Sequence, residues 1–403
     1  MPSLTEVRLL TNSLCLDATP PDIAAWVQNA NVADWAALIT HADRHSLTPL
    51  LYSVWRAAEA LPYLPAPIRA RLQQAYADNQ RRNANIRAEL LELQALLNQN
   101  GVPHLVLKGW PLVEQLYADP PERVLYDHDV LVPAERAQTG HAALKAAGFR
   151  PLPGKDEWVE KHLPSLWKND GYVWSGYLFD PLYPRPVELH VQLWENGWRG
   201  LAVRALPEPW HNAQTRLVAS VPMQTLSPEN MAVHLAMHFA GHLVEREARL
   251  NQLLDFARLL ARVEFDWDFV VRQAEAANVS RFVYASIFLA REIYAAPLPP
   301  PSIWQKLATR TPRPFQAWLA AHGVADVLLS DYQRRTKGKD YKLTFLAARS
   351  VREKLGILRF AALPPLGQLQ AKYRVQHKWQ AALFLPVHLW ERGLSYGRGW
   401  LKL

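Results

Sequence analysis

In the stretch RVLYDHDVLV, Arg123 to Val132, two aspartates stand two residues apart within an apolar, strand-forming run. Residues i and i+2 of a strand project to one face, so Asp127 and Asp129 point the same way, with Cα atoms about 6.8 Å apart. Acidic side chains are poor strand formers and costly to bury alone, and two so close repel unless a cation lies between them. Mg²⁺ suits such a pair, because it takes hard oxygen ligands and keeps positions open for substrate phosphates. A third carboxylate on a neighbouring strand would complete a site for two metal ions. PVELHVQLW, Pro186 to Trp194, offers Glu188: Val187, Leu189, Val191 and Leu193 share one face, and Glu188, His190 and Gln192 share the other. The apolar face packs inward and so fixes where Glu188 points. A D-x-D pair alone is common on exposed strands, and the ordered setting is what gives this one weight.

That setting begins with a helical stretch, residues 1–98, whose DWAALITHADRHSLTPLL and IRARLQQAYADNQRRNANIRAELLELQALLNQNG carry apolar residues at helical spacing and close at Gly101. Then the period changes. HLVLKG is a short strand ended by Gly109, WPLVEQLYADPPE a helix stopping before two prolines, and RVLYDHDVLV a second strand. Pro133 opens the helix AERAQTGHAALKAAG, which Gly148 closes. Residues 99–205 thus form a small α/β core. Ser227 and Pro228 then start a helix expected to run to about Val263, residues 206–298 read as a helical domain, and PLPPPS (Pro297 to Ser302) leads into a basic helical region, 299–403. The expected fold class is α+β: a small mixed sheet between helical domains.

The series LVLKGWPLVEQLY, Arg123, DHDVLV, AALKAAGF and VELHVQLW resembles the uncharacterised nucleotidyltransferase family of the polymerase β-like superfamily. Members carry L-K-G, an Arg shortly before D-x-D-x-L-V, a G-[FY] some twenty residues on, and an acidic residue just before L-H or I-H. The flanks agree: DWAALITHADRHSLTPLL resembles the family's N-terminal segment, and His238, Arg249, Leu250 and Asp255 match its H…R-L…D-x-A helix. The resemblance spans about residues 30–265. It implies a Mg²⁺- or Mn²⁺-dependent enzyme that moves a nucleoside monophosphate from an NTP to an acceptor and releases pyrophosphate, a transferase of the EC 2.7.7 type. Asp127, Asp129 and Glu188 would hold the metal and carry catalysis. Lys108, Gly109, Trp110 and Arg123 would meet the nucleotide, Gly109 by letting backbone N–H groups approach phosphate and Arg123 through its planar fork. Lys108 has a second reading, pairing a carboxylate behind the site. Trp110 departs from the Gly-Ser or Gly-Gly of related transferases and either narrows the triphosphate space or stacks on something. The acceptor, whether a small molecule, a protein side chain or an RNA end, is not encoded in these motifs. A rival reading is a catalytically weak binding or regulatory module on the same fold.

Other candidates have plainer readings. His128 points away from the aspartates, as a partnered structural histidine would. His234, His238 and His242 share a helix face, yet with no H-E-x-x-H and no third ligand they read as packing or substrate contacts rather than zinc ligands. Arg249 and Asp255 either anchor the helical domain or line the cleft. Between Pro151 and Arg185 lie Trp158, Trp167, Tyr172, Trp174, Tyr177, Phe179 and Tyr183, a lid or acceptor pocket on one reading and a packed hairpin on the other. No G-x-S-x-G or Walker A sequence occurs.

Bulk composition sets the outer limits. With 403 residues, 49% of them hydrophobic, the chain can bury a large core, and its lone cysteine, Cys15, permits no intrachain disulfide. The N-terminal residues lack the pattern of a signal peptide and no run is apolar enough to span a bilayer, so a cytoplasmic protein is expected. The net charge of +8 is uneven. From Arg334 to Leu403, fifteen Lys or Arg face only Asp340, Glu353 and Glu391, which leaves the remainder acidic. That tail is either a solvated helical face or a contact for nucleic acid or an anionic membrane surface.

Overall fold

The computed structural model describes residues 2–152, 160–168, 171–330, 341–363, 366–373, 375 and 377–400. Its centre is one mixed sheet of seven strands: β1 (Leu105–Val106), β2 (His128–Leu131), β3 (Arg150–Pro151), β4 (Leu166–Trp167), β5 (Val187–His190), β6 (Gln214–Val218) and β7 (Val221–Thr225). Their order is β3-β4-β5-β2-β1-β7-β6. Strand β2 runs antiparallel to β1 and parallel to β5. Helices before, between and after the strands complete the expected α+β arrangement.

The two faces of the sheet are buried differently. Val106, Val130, Val132, Val187 and Leu189 pack on one side with Ile86, Leu90, Leu93 and Leu97 of the Ala66–Gln99 helix. Leu105, Leu107 and Leu131 join the other core, built largely from the Pro228–Val244, Leu250–Arg262 and Ser280–Tyr294 helices. By strand alternation, Asp129 and Glu188 belong to this second face, the one that meets the later helices.

Three expectations about elements need correction. The strand read as 123–132 is hydrogen-bonded as strand only over His128–Leu131. The carbonyls of Pro120, Pro121, Arg123 and Leu125 are taken by side chains of the Ala66–Gln99 helix instead. Asn79 Nδ2 donates to Pro121 O at 2.7 Å, Asn83 Nδ2 to Pro120 O at 2.6 Å and Arg123 O at 2.9 Å, and Arg82 Nη2 to Leu125 O at 2.8 Å. Polar side chains buried in a long helix thus replace a neighbouring strand as the partner of this backbone. The helix read as running from Ser227 to Val263 is two helices. Arg246 takes a left-handed φ of 59°, and Leu250 N–H donates to His45 Nδ1 at 3.1 Å, so the second helix starts on a partner from the N-terminal region. Finally, the chain is not purely helical after residue 205. The β6–β7 hairpin, turning at Ala219 (φ 49°) and Ser220 (φ 67°), pairs with β1 and extends the sheet.

Candidate active site

Parallel pairing of β2 with β5 sets Asp129 directly opposite Glu188. Side chains opposite one another across two paired strands share a face. Two residues on along β5, His190 comes to the same side, and its Nε2 lies 3.1 Å from Asp129 Oδ1 and 3.5 Å from Glu188 Oε2. Among the described residues, Asp129, Glu188 and His190 form a group whose possible ligand atoms all lie within 4.8 Å of one another. Asp127 sits one residue before β2. It faces the same side, because the Lys108 ammonium reaches both aspartates: Nζ is 3.1 Å from Asp127 Oδ1 and ion-pairs with Asp129 Oδ2. Asp127 is the open member, its side chain 35% exposed against 3% for Asp129.

Charge balance decides the protonation pattern. Burial works against ionising Asp129, but Lys108 and His190 outweigh it and hold the carboxyl well below its ordinary value. Burial and the Asp129 charge oppose ionising Glu188, but its hydrogen bond from His190 outweighs them and draws the carboxyl down to about 2. Asp127 goes the other way, raised by burial and by Asp129, with Lys108 only partly compensating. Lys108 is raised, the two aspartates outweighing its burial, and so stays an ammonium. His190 is likewise raised, because its bonds to Asp129 and Glu188 exceed the cost of burial.

Irregular backbone before β4 contributes two further groups. Ser165 Oγ donates to Glu188 Oε1 at 3.1 Å. His162 Nδ1 donates to the carbonyl of Leu163 at 2.6 Å, which puts the proton on Nδ1 and the lone pair on Nε2. That Nε2 lies 3.6 Å from Glu188 Oε2, and burial lowers the ring's pKa. A lone pair facing a carboxylate oxygen is repulsive by itself and is relieved by a cation between them. Two carboxylates and an imidazole within mutual reach, with a second imidazole facing one of them, therefore fit a divalent metal ion.

The residues expected at the nucleotide are dispersed. Gly109 turns the chain with φ 81° and ψ −121°, a conformation that favours glycine, and an added Cβ would meet nothing within 4 Å. The glycine is there for its dihedral angle, not for close packing. Trp110 neither narrows the carboxylate side nor stacks there. It is buried in the opposite core, its Nε1 donating to Glu114 Oε1 at 2.9 Å and Arg87 lying 5.7 Å from its ring. Arg123 does not present its fork to the site. Nε donates to Asp255 at 3.0 and 3.1 Å and Nη2 at 2.7 Å, while Tyr117 OH donates to the same carboxylate at 2.6 Å. Asp255, 2% exposed, is thus the clasp between the D-x-D segment and the helical half. Arg249 lies 5.4 Å from the ring of Tyr126.

His128 faces the opposite side from Asp129, with Nε2 3.2 Å from Glu89 Oε2, as a partnered structural histidine. On the Pro228–Val244 helix, His234, His238 and His242 do line one face, with ring centroids 6.2 and 4.7 Å apart. Burial drives His234 down to about 3 and His238 well below its ordinary value. Of the aromatic segment, Trp158 lies outside the described residues. Tyr177, Phe179 and Tyr183 pack against the Ala66–Gln99 helix, where Tyr177 OH donates to Asp78 Oδ2 at 2.9 Å and Arg82 lies 5.3 Å from the Tyr183 ring.

The model of the uncharacterised nucleotidyltransferase family matches residues 31–295, well over half of the chain and the whole of the region just described. The protein belongs to that family. No curated protein and no solved structure matches it. Family membership carries nucleotidyl transfer as the coarse chemistry and an NTP as the implied substrate. Within this member, His190, His162 and Ser165 are site groups that sequence reasoning left out. His190 was findable, because it shares the Glu188 face of an alternating strand. His162 and Ser165 lie in irregular backbone tied to β5 by a single bridge, and no periodicity marks them.

Proposed function

We propose that the protein transfers a nucleoside monophosphate from an NTP to a hydroxyl acceptor, using a polymerase β-like core. The observation that carries this reading is the register that sets Asp129 beside Glu188, with His190 closing the group. Asp129, Glu188 and His190 would hold a divalent ion, which when bound neutralises phosphate charge and lowers the acceptor's pKa. Because an imidazole is a poor ligand for Mg²⁺, this donor set favours Mn²⁺ more than three carboxylates would. Lys108 keeps Asp127 and Asp129 together despite their like charge. Asp127, the more open of the two aspartates, suits the role of base that takes the acceptor's proton. The acceptor oxygen then bonds to the α-phosphorus as the bond to the bridging oxygen breaks, and pyrophosphate leaves with that electron pair.

For the acceptor, the molecule offers a cavity of about 270 Å³ lined by Lys161, Trp198, His238, His242, Glu245 and Phe360, among others. It adjoins the carboxylates through Lys161, whose carbonyl accepts from Val191 N–H at 2.8 Å and whose neighbour His162 has Nε2 3.6 Å from Glu188 Oε2. The His238 imidazole, kept neutral by burial, beside the Trp198 indole suits a hydroxylated compound with one apolar face.

The rival, a binding or regulatory module with weak turnover, draws on the position of Lys108, which already ion-pairs with both aspartates. A panel of α-labelled NTPs with Mg²⁺ or Mn²⁺, scored for label on protein, RNA or extract, separates the two. Label transfer that Asp129→Ala abolishes supports the enzyme. Nucleotide binding that survives Asp127→Asn, with no label transferred, supports the module.

A further inference from the structure

The Val351–Ala362 helix has two apolar faces, and among the described residues one is buried and the other exposed. Inward, Glu353, Ile357 and Ala361 are buried. Glu353 forms a buried ion pair with Arg281, whose Nη2 donates to Oε1 at 2.9 Å and Nη1 to Oε2 at 3.1 Å. Backbone meets backbone at Gly356, where an added Cβ would sit 2.3 Å from Gly200 O. The helix is therefore locked in rotation, because rolling it would break that ion pair and lift Gly356 off Gly200. Outward, at spacings of four and three, it presents Val351 (72% exposed), Leu355 (60%) and Leu358 (55%), and Leu363 (47%) follows directly. Arg352, Lys354 and Arg359 are exposed along the flanks of this stripe. Phe345, also exposed, lies 5.4 Å from the Lys354 ammonium. Further on, Trp379, Leu383 and Trp390 are each about two-thirds exposed.

We propose that this outer face rests on an anionic membrane surface. Exposed aliphatic residues in a continuous stripe signal an interaction site rather than ordinary surface. A nucleic acid would engage the arginines and lysines but leave Val351, Leu355 and Leu358 in water, since phosphates and sugars offer aliphatic side chains nothing. A second copy of the chain, packed by the same face, would bring Arg352, Lys354 and Arg359 against the same three cations. A lipid interface takes both components together, leucines into the acyl boundary and cations among the headgroups. Among the described residues no helix is long and apolar enough to cross a membrane, so the contact is one of lying on the surface, not spanning it. The inner face of the same helix supplies Phe360 to the cavity beside the histidine helix, so lipid contact and that cavity share one rigid element.

The test is co-sedimentation of the full chain with phosphatidylcholine vesicles, alone and with about a third phosphatidylserine. Wild type should pellet with the anionic vesicles, less with neutral ones, and partly resist added salt. Leu355→Ser with Leu358→Ser keeps the charge and should weaken partition about tenfold or more, while Arg352→Gln with Arg359→Gln should weaken it about twenty- to thirtyfold. Unchanged circular dichroism and melting temperature confirm that the variants fold. A soluble wild type, or leucine variants that pellet as well as wild type, overturns the proposal. So does preferential binding to a single-stranded or duplex oligonucleotide, or a dimer in sedimentation analysis that the leucine variants disperse. None of these readouts depends on nucleotidyl transfer.

Discussion

Replacing Arg123 with methionine should destabilise the protein by about 3–5 kcal/mol and leave the carboxylate group at Asp129 and Glu188 chemically unaltered. The figure comes from what Asp255 would lose. In the intact protein its buried carboxylate accepts from Arg123 through two nitrogens and from Tyr117 OH. Without Arg123 one hydroxyl is left to satisfy a charge that is 2% exposed. Tyr117→Phe removes a single bond and should cost about 1–2 kcal/mol. Asp255→Leu should cost about as much as Arg123→Met, for it strands the guanidinium instead. The double variant removes both charges and should recover most of the loss, because exchanging a buried pair for apolar groups is often close to neutral. Urea unfolding followed by tryptophan fluorescence across the four-member cycle measures the coupling. Additive single effects, or an Arg123→Met variant within about 1 kcal/mol of wild type, would refute the clasp. A normal stability accompanied by a large loss of nucleotide affinity would return Arg123 to the phosphate role that its type suggests.

Further outcomes follow from the same contacts. Asn83→Ala removes one of two donors from each of two carbonyls in the segment leading to D-x-D, leaving Asn79 on Arg123 O and the Arg123 N–H on Pro120 O, and should cost about 1–2 kcal/mol in urea unfolding, with a larger fractional fall in any transfer activity than in stability. Gly356→Ala cannot be accommodated against Gly200 O, so the Val351–Ala362 helix should detach, read as faster hydrogen exchange across residues 351–362. Burial keeps His234 neutral in the fold, with its pKa lowered from 6.5 to about 3, whereas the unfolded chain takes up a proton below 6.5. Stability should accordingly fall as pH drops through 6.5, by about 1.4 kcal/mol per unit for each such histidine, and His234→Gln should flatten that slope in urea midpoints.

How far the sequence speaks depends on whether a feature is local. Alternation in VELHVQLW is local, so the face shared by Glu188 and His190 was legible, as was the opposite direction of His128. Gly148 closing its helix and Ser227 capping the next are local as well, and both stand in the structure. The parallel register of β2 and β5 is set by residues far apart in sequence, and no pattern in either strand specifies it. RVLY has the composition of a strand, yet Asn79, Arg82 and Asn83, some forty positions earlier, take its carbonyls. Arg123 carries the fork that recognises phosphate, but the same fork suits a carboxylate, and Asp255 arrives from a helix 132 residues away. The hairpin at 214–225 was missed because its two short strands mix polar and apolar residues on exposed faces, where alternation is weakly enforced.

Whether Asp129, Glu188 and His190 share an ion can be read from Mn²⁺ titration monitored by electron paramagnetic resonance. Saturable binding of a single ion is expected, lost in Asp129→Ala and Glu188→Gln, with a ¹⁴N coupling that disappears in His190→Ala. Binding of equal affinity in Asp129→Ala, or a spectrum without nitrogen coupling in wild type, would contradict a shared ion.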